Sequence, residues 1–125
     1  MTTLENVAEC VRLVCADLRV IQPYQVTVSQ RTSGGRYYSK QKRVHVGLKH
    51  SVRMTAENVC LHEIAHHVEQ YRHGGRLSEA RRSHGPAFVT ALHDVVVAWH
   101  GRTDRYQWDL DYKCVAREAK KRGYY

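Results

Sequence analysis

Apolar residues at Leu4, Val7, Val11, Val14 and Leu18 recur at helical spacing behind a hydroxyl cap at Thr3. The first eighteen or so residues therefore predict an amphipathic helix that packs as a lid on the core. Pro23 stops it, and the period then changes to two. YQVTVSQ at 24–30, GRYYSK at 35–40 and RVHVGL at 43–48 alternate and are rich in β-branched and aromatic residues, with turns at Gly34-Gly35 and across 40–42. These pieces predict a small three-stranded meander. Thr55 offers a cap for a second helix that runs to Gly74-Gly75. Pro86, at a position where its missing N–H costs nothing, opens a third helix, with Phe88, Leu92, Val95 and Trp99 on one stripe. Asp111 to Arg122, stopped by Gly123, predicts a short fourth. The fold class expected is α+β, in one domain spanning 1–125, since 125 residues suffice for one hydrophobic core.

Composition narrows the class. Hydrophobic residues make up 42% and charged residues 26%, ordinary for a globular chain. Glu5 and Glu9 stand where a signal peptide needs a basic start, and the longest apolar run, Val95 to Trp99, is far short of the ~20 residues that span a bilayer. Cytoplasmic location without membrane contact is the expectation. Cys10, Cys15, Cys60 and Cys114 form no CxxC pair and read as reduced thiols packed as small hydrophobes. The net charge of +8 is uneven. The stretch from Tyr24 to Met54 holds no acid, while Arg31, Arg36, Lys40, Lys42, Arg43, Lys49 and Arg53 are interleaved with Tyr24, Tyr37 and Tyr38. That mixture suits phosphate contact and base stacking, and equally a solvated basic surface.

The residues that carry chemistry are His-Glu-Ile-Ala-His at 62–66. Four residues apart on a helix, His62 and His66 share one face, close enough for both imidazoles to reach one ion. Glu63 projects about 100° around, beside the ion, where it can take a proton from water without being a ligand. Composition predicts roughly 0.035 accidental matches to this pattern. On a helical wheel the pair opposes Cys60, Leu61, Ile64, Val68 and Tyr71, which form the expected core face.

A catalytic zinc usually takes three protein ligands and a water. His67 points away from the pair, and His73 lies too far up the helix. The extended metzincin pattern fails, because Glu69 and Arg72 stand where it needs Gly and His. His84 precedes the Gly85-Pro86 helix start, on an element able to fold back over the first, with Glu79 as its main rival. His67 and His73 read as surface residues, His45 and His50 as strand-end residues, and His93 and His100 as solvent-side helix residues.

The run Val59-Cys60-Leu61-His62-Glu63-Ile64-Ala65-His66-His67, followed by Ser83-His84-Gly85-Pro86-Ala87-Phe88, resembles the SprT-like zinc metallopeptidases, to which the Spartan protease belongs. The similarity takes in RVHVGLKHSVRMTAENV, like the edge strand and helix entry before that family's motif, and spans about residues 34–92. The resemblance implies a minimal zincin-like domain in which His62, His66 and His84 bind Zn²⁺, Glu63 is the general acid/base and Phe88 is an aromatic core position. It implies a protein or peptide substrate, with several members acting on proteins bound or crosslinked to DNA. The C-terminal zinc ribbon of many bacterial members is missing, since Cys114 stands alone, so nucleic-acid contact falls to the basic residues of 24–54.

An oxyanion partner is expected among Tyr37, Tyr38, Tyr106, Tyr112 and His100, and the sequence does not choose. Two rival readings use the same residues. One is a non-catalytic basic protein, DNA-binding or phage structural, in which zinc only holds the fold. The other is a zinc hydrolase acting on cell-wall or other amide bonds. The C-terminal Gly123-Tyr124-Tyr125 is an aromatic tail placed to occlude the cleft. Nothing in the sequence specifies an oligomeric state.

Overall fold

The caps act as the sequence suggests. Thr3 accepts from the Asn6 N–H at 3.1 Å and opens α1 (Leu4–Leu18), and Thr55 does the same for Asn58 at the head of α2 (Ala56–Arg72). Pro86 occupies the first turn of α3 (Pro86–His100). The computed structural model describes residues 1–51, 54–74 and 84–125. Arg53, Glu79 and Ser83 lie outside the described residues. A short 3-10 helix over Trp108–Leu110 precedes α4 (Lys113–Lys121), so Asp111 stands between two helices instead of opening one.

Strands β1 (Gln25–Ser29), β2 (Gly35–Tyr38) and β3 (Arg43–Gly47) form the sheet, but it is not a meander. The order is β1-β3-β2, with β1 parallel and β2 antiparallel to β3. The segment expected to resemble an edge strand, 43–47, is therefore the central one, and β2 takes the edge. The reason sits at Gly47. The chain leaving β1 crosses the end of β3 before entering β2, and the Gly47 N–H donates to the Gly34 carbonyl at 2.6 Å while the Lys49 N–H donates to Thr32 at 2.9 Å. A Cβ at Gly47 would collide with the Thr32 and Gly34 carbonyl oxygens. Only a residue without a side chain lets the crossing lie this close.

Strand alternation sorts the sheet into two faces. Val26, Val28, Val44 and Val46 pack with the helices. Arg36, Tyr38, Arg43 and His45 share the other face, where the guanidinium carbons of Arg43 and Arg36 lie 4.0 and 5.4 Å from the Tyr38 ring centroid. His45 is mid-strand, not at a strand end, and its Nδ1 is 2.8 Å from the Thr27 hydroxyl.

Helix α2 is buried almost all round, between the sheet, α1 and α3. Cys60, Leu61, Ile64 and Val68 are core as expected, whereas Tyr71 is 42% exposed because the helix outruns its cover at that end. Cys10, Cys15 and Cys60 are buried free thiols, and Cys114 is an exposed one. The C-terminus folds onto α3. Tyr124 stacks on His93 at 4.7 Å between centroids and lies 5.3 Å from Trp108, so the aromatic tail closes the core instead of occluding a cleft. Among the described residues no helix is long and apolar enough to cross a membrane.

Gly47→Ala is expected to cost about 3 kcal/mol, because the atoms in the way are backbone and cannot rotate aside. Urea unfolding checks it: the midpoint should fall with the slope unchanged.

Candidate metal centre

Three elements converge on one point. Helix α2 presents His62 and His66 one turn apart, with ring centroids 5.1 Å from each other. His84, two residues before α3, closes the triangle at 5.1 Å from His62 and 5.0 Å from His66. Phe88, buried in the first turn of α3, underlies all three rings at 4.8, 4.3 and 5.0 Å. Its fixed position ties the site to the core.

The side chain of Asp111, 3% exposed, holds His62 from behind. Its Oδ2 lies 3.1 Å from His62 Nδ1 and accepts the Tyr106 hydroxyl at 2.6 Å, while its Oδ1 accepts the Tyr112 N–H at 2.6 Å. Burial raises the cost of that carboxylate, but donors on every side keep its pKa below the ordinary value. An ionised Asp111 takes the His62 Nδ1–H, which leaves the Nε2 lone pair facing inward. Burial opposes charge on His62, yet the Asp111 hydrogen bond and the nearby carboxylates outweigh it and raise its pKa. His66 has no such partner: burial and its two imidazole neighbours push it down to about 2. His84 falls to about 4 by burial and the proximity of His62.

Glu63 is 7% exposed and faces a cavity of about 380 Å³ that His62, Tyr106, Asp111 and Tyr112 also line. Burial lifts its carboxyl to about 7, with His62 opposing and Asp111 adding to the shift. A carboxylate poised near neutrality is suited to accepting and returning a proton. Gly35, at the start of β2, is what allows the edge strand to sit against it. A Cβ there would be 3.1 Å from Glu63 Cγ and 2.7 Å from the His45 carbonyl oxygen.

Of the tyrosines considered as oxyanion partners, Tyr112 lies nearest, its ring 4.3 Å from that of His84. Tyr106 gives its hydroxyl to Asp111, and Tyr37 gives its own to Gln70 at 2.6 Å, with His67 Nδ1 3.0 Å away. Tyr38 sits under Arg43 on the outer sheet face, and His100 is 3.6 Å from Glu57, away from the three histidines. His67 is not a surface residue. It is 4% exposed, and its Nε2 lies 2.6 Å from the Ile21 carbonyl. The wheel correctly turned it away from the pair, but that side meets protein instead of solvent. His100, with a side chain 13% exposed, and half-buried His93 are likewise less open than expected, whereas His50 and His73 are exposed. The contact of Asp111 with His62 has no local signal in the sequence, where an acid at this point reads as a helix start.

The donor set fits a metal ion. One ligand nitrogen from each of His62, His66 and His84 lies within 4.8 Å of the others, and His62 Nε2 is 3.1 Å from His84 Nε2. A tetrahedral zinc site needs about 3.4 Å between donors, so small side-chain adjustments suffice. No family model, curated protein or solved structure matches the chain.

With His66 and His84 already neutral at pH 7, the proton on His62 is the main competitor for an ion. Affinity for Zn²⁺ as a probe ion should fall about tenfold per pH unit once pH drops below the raised pKa of His62. In Asp111→Asn, affinity at pH 8 should drop about 10–100-fold. The proton competition should also begin at lower pH, because burial then acts on His62 with only Glu63 opposing it. Competition with a chromophoric chelator measures both.

Proposed function

We propose that the chain is a zinc-dependent metallopeptidase of the SprT-like kind, cutting peptide bonds in protein or peptide substrates. The observation that carries this reading is the juxtaposition of a three-histidine donor set with Glu63, a buried carboxylate that faces a cavity instead of a ligand position. A purely structural zinc is usually closed by four protein ligands, and among the described residues the donor group consists of three. Four free thiols, three of them buried, support a cytoplasmic setting.

His62, His66 and His84 would hold the ion, with Asp111 and Tyr106 fixing the orientation of His62. Bound there, Zn²⁺ supplies Lewis acidity that polarises the scissile carbonyl and acidifies the attacking water. Glu63 takes the proton of that water as its oxygen attacks the carbonyl carbon, then passes it to the amine nitrogen as the C–N bond breaks.

A partner class follows from the outer sheet face. Arg36 and Arg43 flank Tyr38 there, within an acid-free stretch that also carries Arg31, Lys40, Lys42 and Lys49. This supports contact with single-stranded DNA and thus substrates associated with DNA.

Zinc content and proteolysis separate the roles. Wild type should carry one zinc per chain by elemental analysis after gel filtration, and His84→Ala should lose most of it. Glu63→Gln should keep the zinc and lose proteolysis by about a thousandfold or more. Full zinc retention in His84→Ala, or unchanged proteolysis in Glu63→Gln, would overturn the reading. Separately, fluorescence anisotropy should show salt-sensitive binding of a single-stranded oligonucleotide. The double variant Arg36→Ala/Arg43→Ala should flatten the slope of log affinity against log salt by about 1.4.

A further inference from the structure

The 380 Å³ cavity beside Glu63 is near the small end of ligand pockets, the size for one side chain and its adjoining backbone. Of the three histidines, only His62 lines it, so it extends to one side of the donor group. Its walls are Met54, Val59 and Leu110, contributed by the entry to α2, by α2 itself and by the 3-10 helix. Ser51 and Asn58 add uncharged polar groups. Among the described lining residues there is no lysine or arginine.

The charges that do line the cavity are carboxylates. Asp111 is already met by His62, Tyr106 and the Tyr112 N–H, so it offers nothing further to a ligand. An acidic side chain entering here would meet Asp111 and Glu63, with no lysine or arginine among the described lining residues to offset them. A lysine or arginine head would settle against Glu63 and occupy the base that must handle the proton. An aliphatic or aromatic side chain is free of both penalties and gains by leaving water. Met54 sits at the rim, 42% exposed, and its flexible thioether adapts to different apolar shapes.

From this geometry we infer that the cavity is the specificity subsite, taking the apolar, uncharged side chain of a residue flanking the bond that is cut. This rests on the peptidase reading for its meaning, while occupancy of the cavity can be tested without any hydrolysis. The chain contains 2 methionines, Met1 and Met54, so ¹³C-methyl-methionine labelling places a single reporter on the cavity rim and a single control that does not line it. Met54→Leu assigns the two signals.

The full-length protein, with and without Zn²⁺, is titrated with the acetylated amides of leucine, lysine and aspartate. The Met54 signal should move saturably with the leucine compound, at a concentration about tenfold below that needed for the other two, with Met1 unmoved. Leu110→Gln, similar in size and half-buried, should weaken the leucine response about tenfold while keeping the Met54 signal dispersed as in a folded protein. A Met54 signal that stays still, responds equally to all three compounds, or responds best to lysine would overturn the inference. Digests of a denatured protein mixture read by mass spectrometry then supply the second measure. Leucine, phenylalanine or methionine should be enriched on one side of the cut. Cleavage without such enrichment overturns the subsite while leaving the peptidase reading intact, and proteolysis unchanged in both Glu63→Gln and His84→Ala overturns the peptidase reading and the subsite with it, whatever the Met54 signal shows of the cavity.

Discussion

Helix α2 is buried on nearly every side while carrying His62, Glu63, His67, Glu69 and Gln70 among its buried residues, and the other elements are arranged to meet that demand. A polar group taken out of water needs a partner, or the fold loses the solvation without a return. The C-terminal segment supplies Asp111 to His62. The edge strand supplies the Tyr37 hydroxyl to Gln70 and His67, and the loop after α1 supplies the Ile21 carbonyl to His67. Gln70 in turn donates its amide to the Ser39 carbonyl at 3.2 Å. The helix that carries two of the three clustered histidines is thus also the one through which strands, loops and the C-terminal segment are pinned to each other.

This coupling explains which parts were legible in the sequence. Helix α2 and the start of α3 are written in local signals: Thr55 as a cap, Pro86 in a first turn, an i, i+4 histidine pair. His84 was legible because it sits immediately ahead of one of those starts. The sheet order was not, since alternation specifies which residues share a face and says nothing about which strand lies in the middle. The one residue that hints at the answer is Gly47, a glycine ending the strand after Val44 and Val46. Asp111 was hidden for a different reason. An acid ahead of KCVAREAKK reads as the first turn of a helix, and only the packing of Trp108 and Tyr106 turns its carboxylate back toward α2.

Glu63 and the histidines show how one degree of burial yields different protonation at neighbouring positions. His62 faces a carboxylate and holds its proton more tightly, whereas His66, one turn away, faces imidazoles and gives it up. Glu63 is lifted by its burial, with the Asp111 charge adding to the shift and His62 opposing it. The three differ in neighbours much more than in depth, so their different protonation is inscribed in the packing around α2 rather than in α2 alone.

The ring of contacts that orients His62 is also a statement about time. His84 lies 22 residues, and Asp111 49 residues, beyond the histidine they meet. Contacts of that span are closed late, because each needs a long stretch of chain to be drawn in before any return is gained. As the polypeptide emerges during synthesis, α2 is complete long before the segment that steadies its histidine exists. The histidine cluster therefore acquires its final alignment only when the segment carrying Asp111 docks on α2.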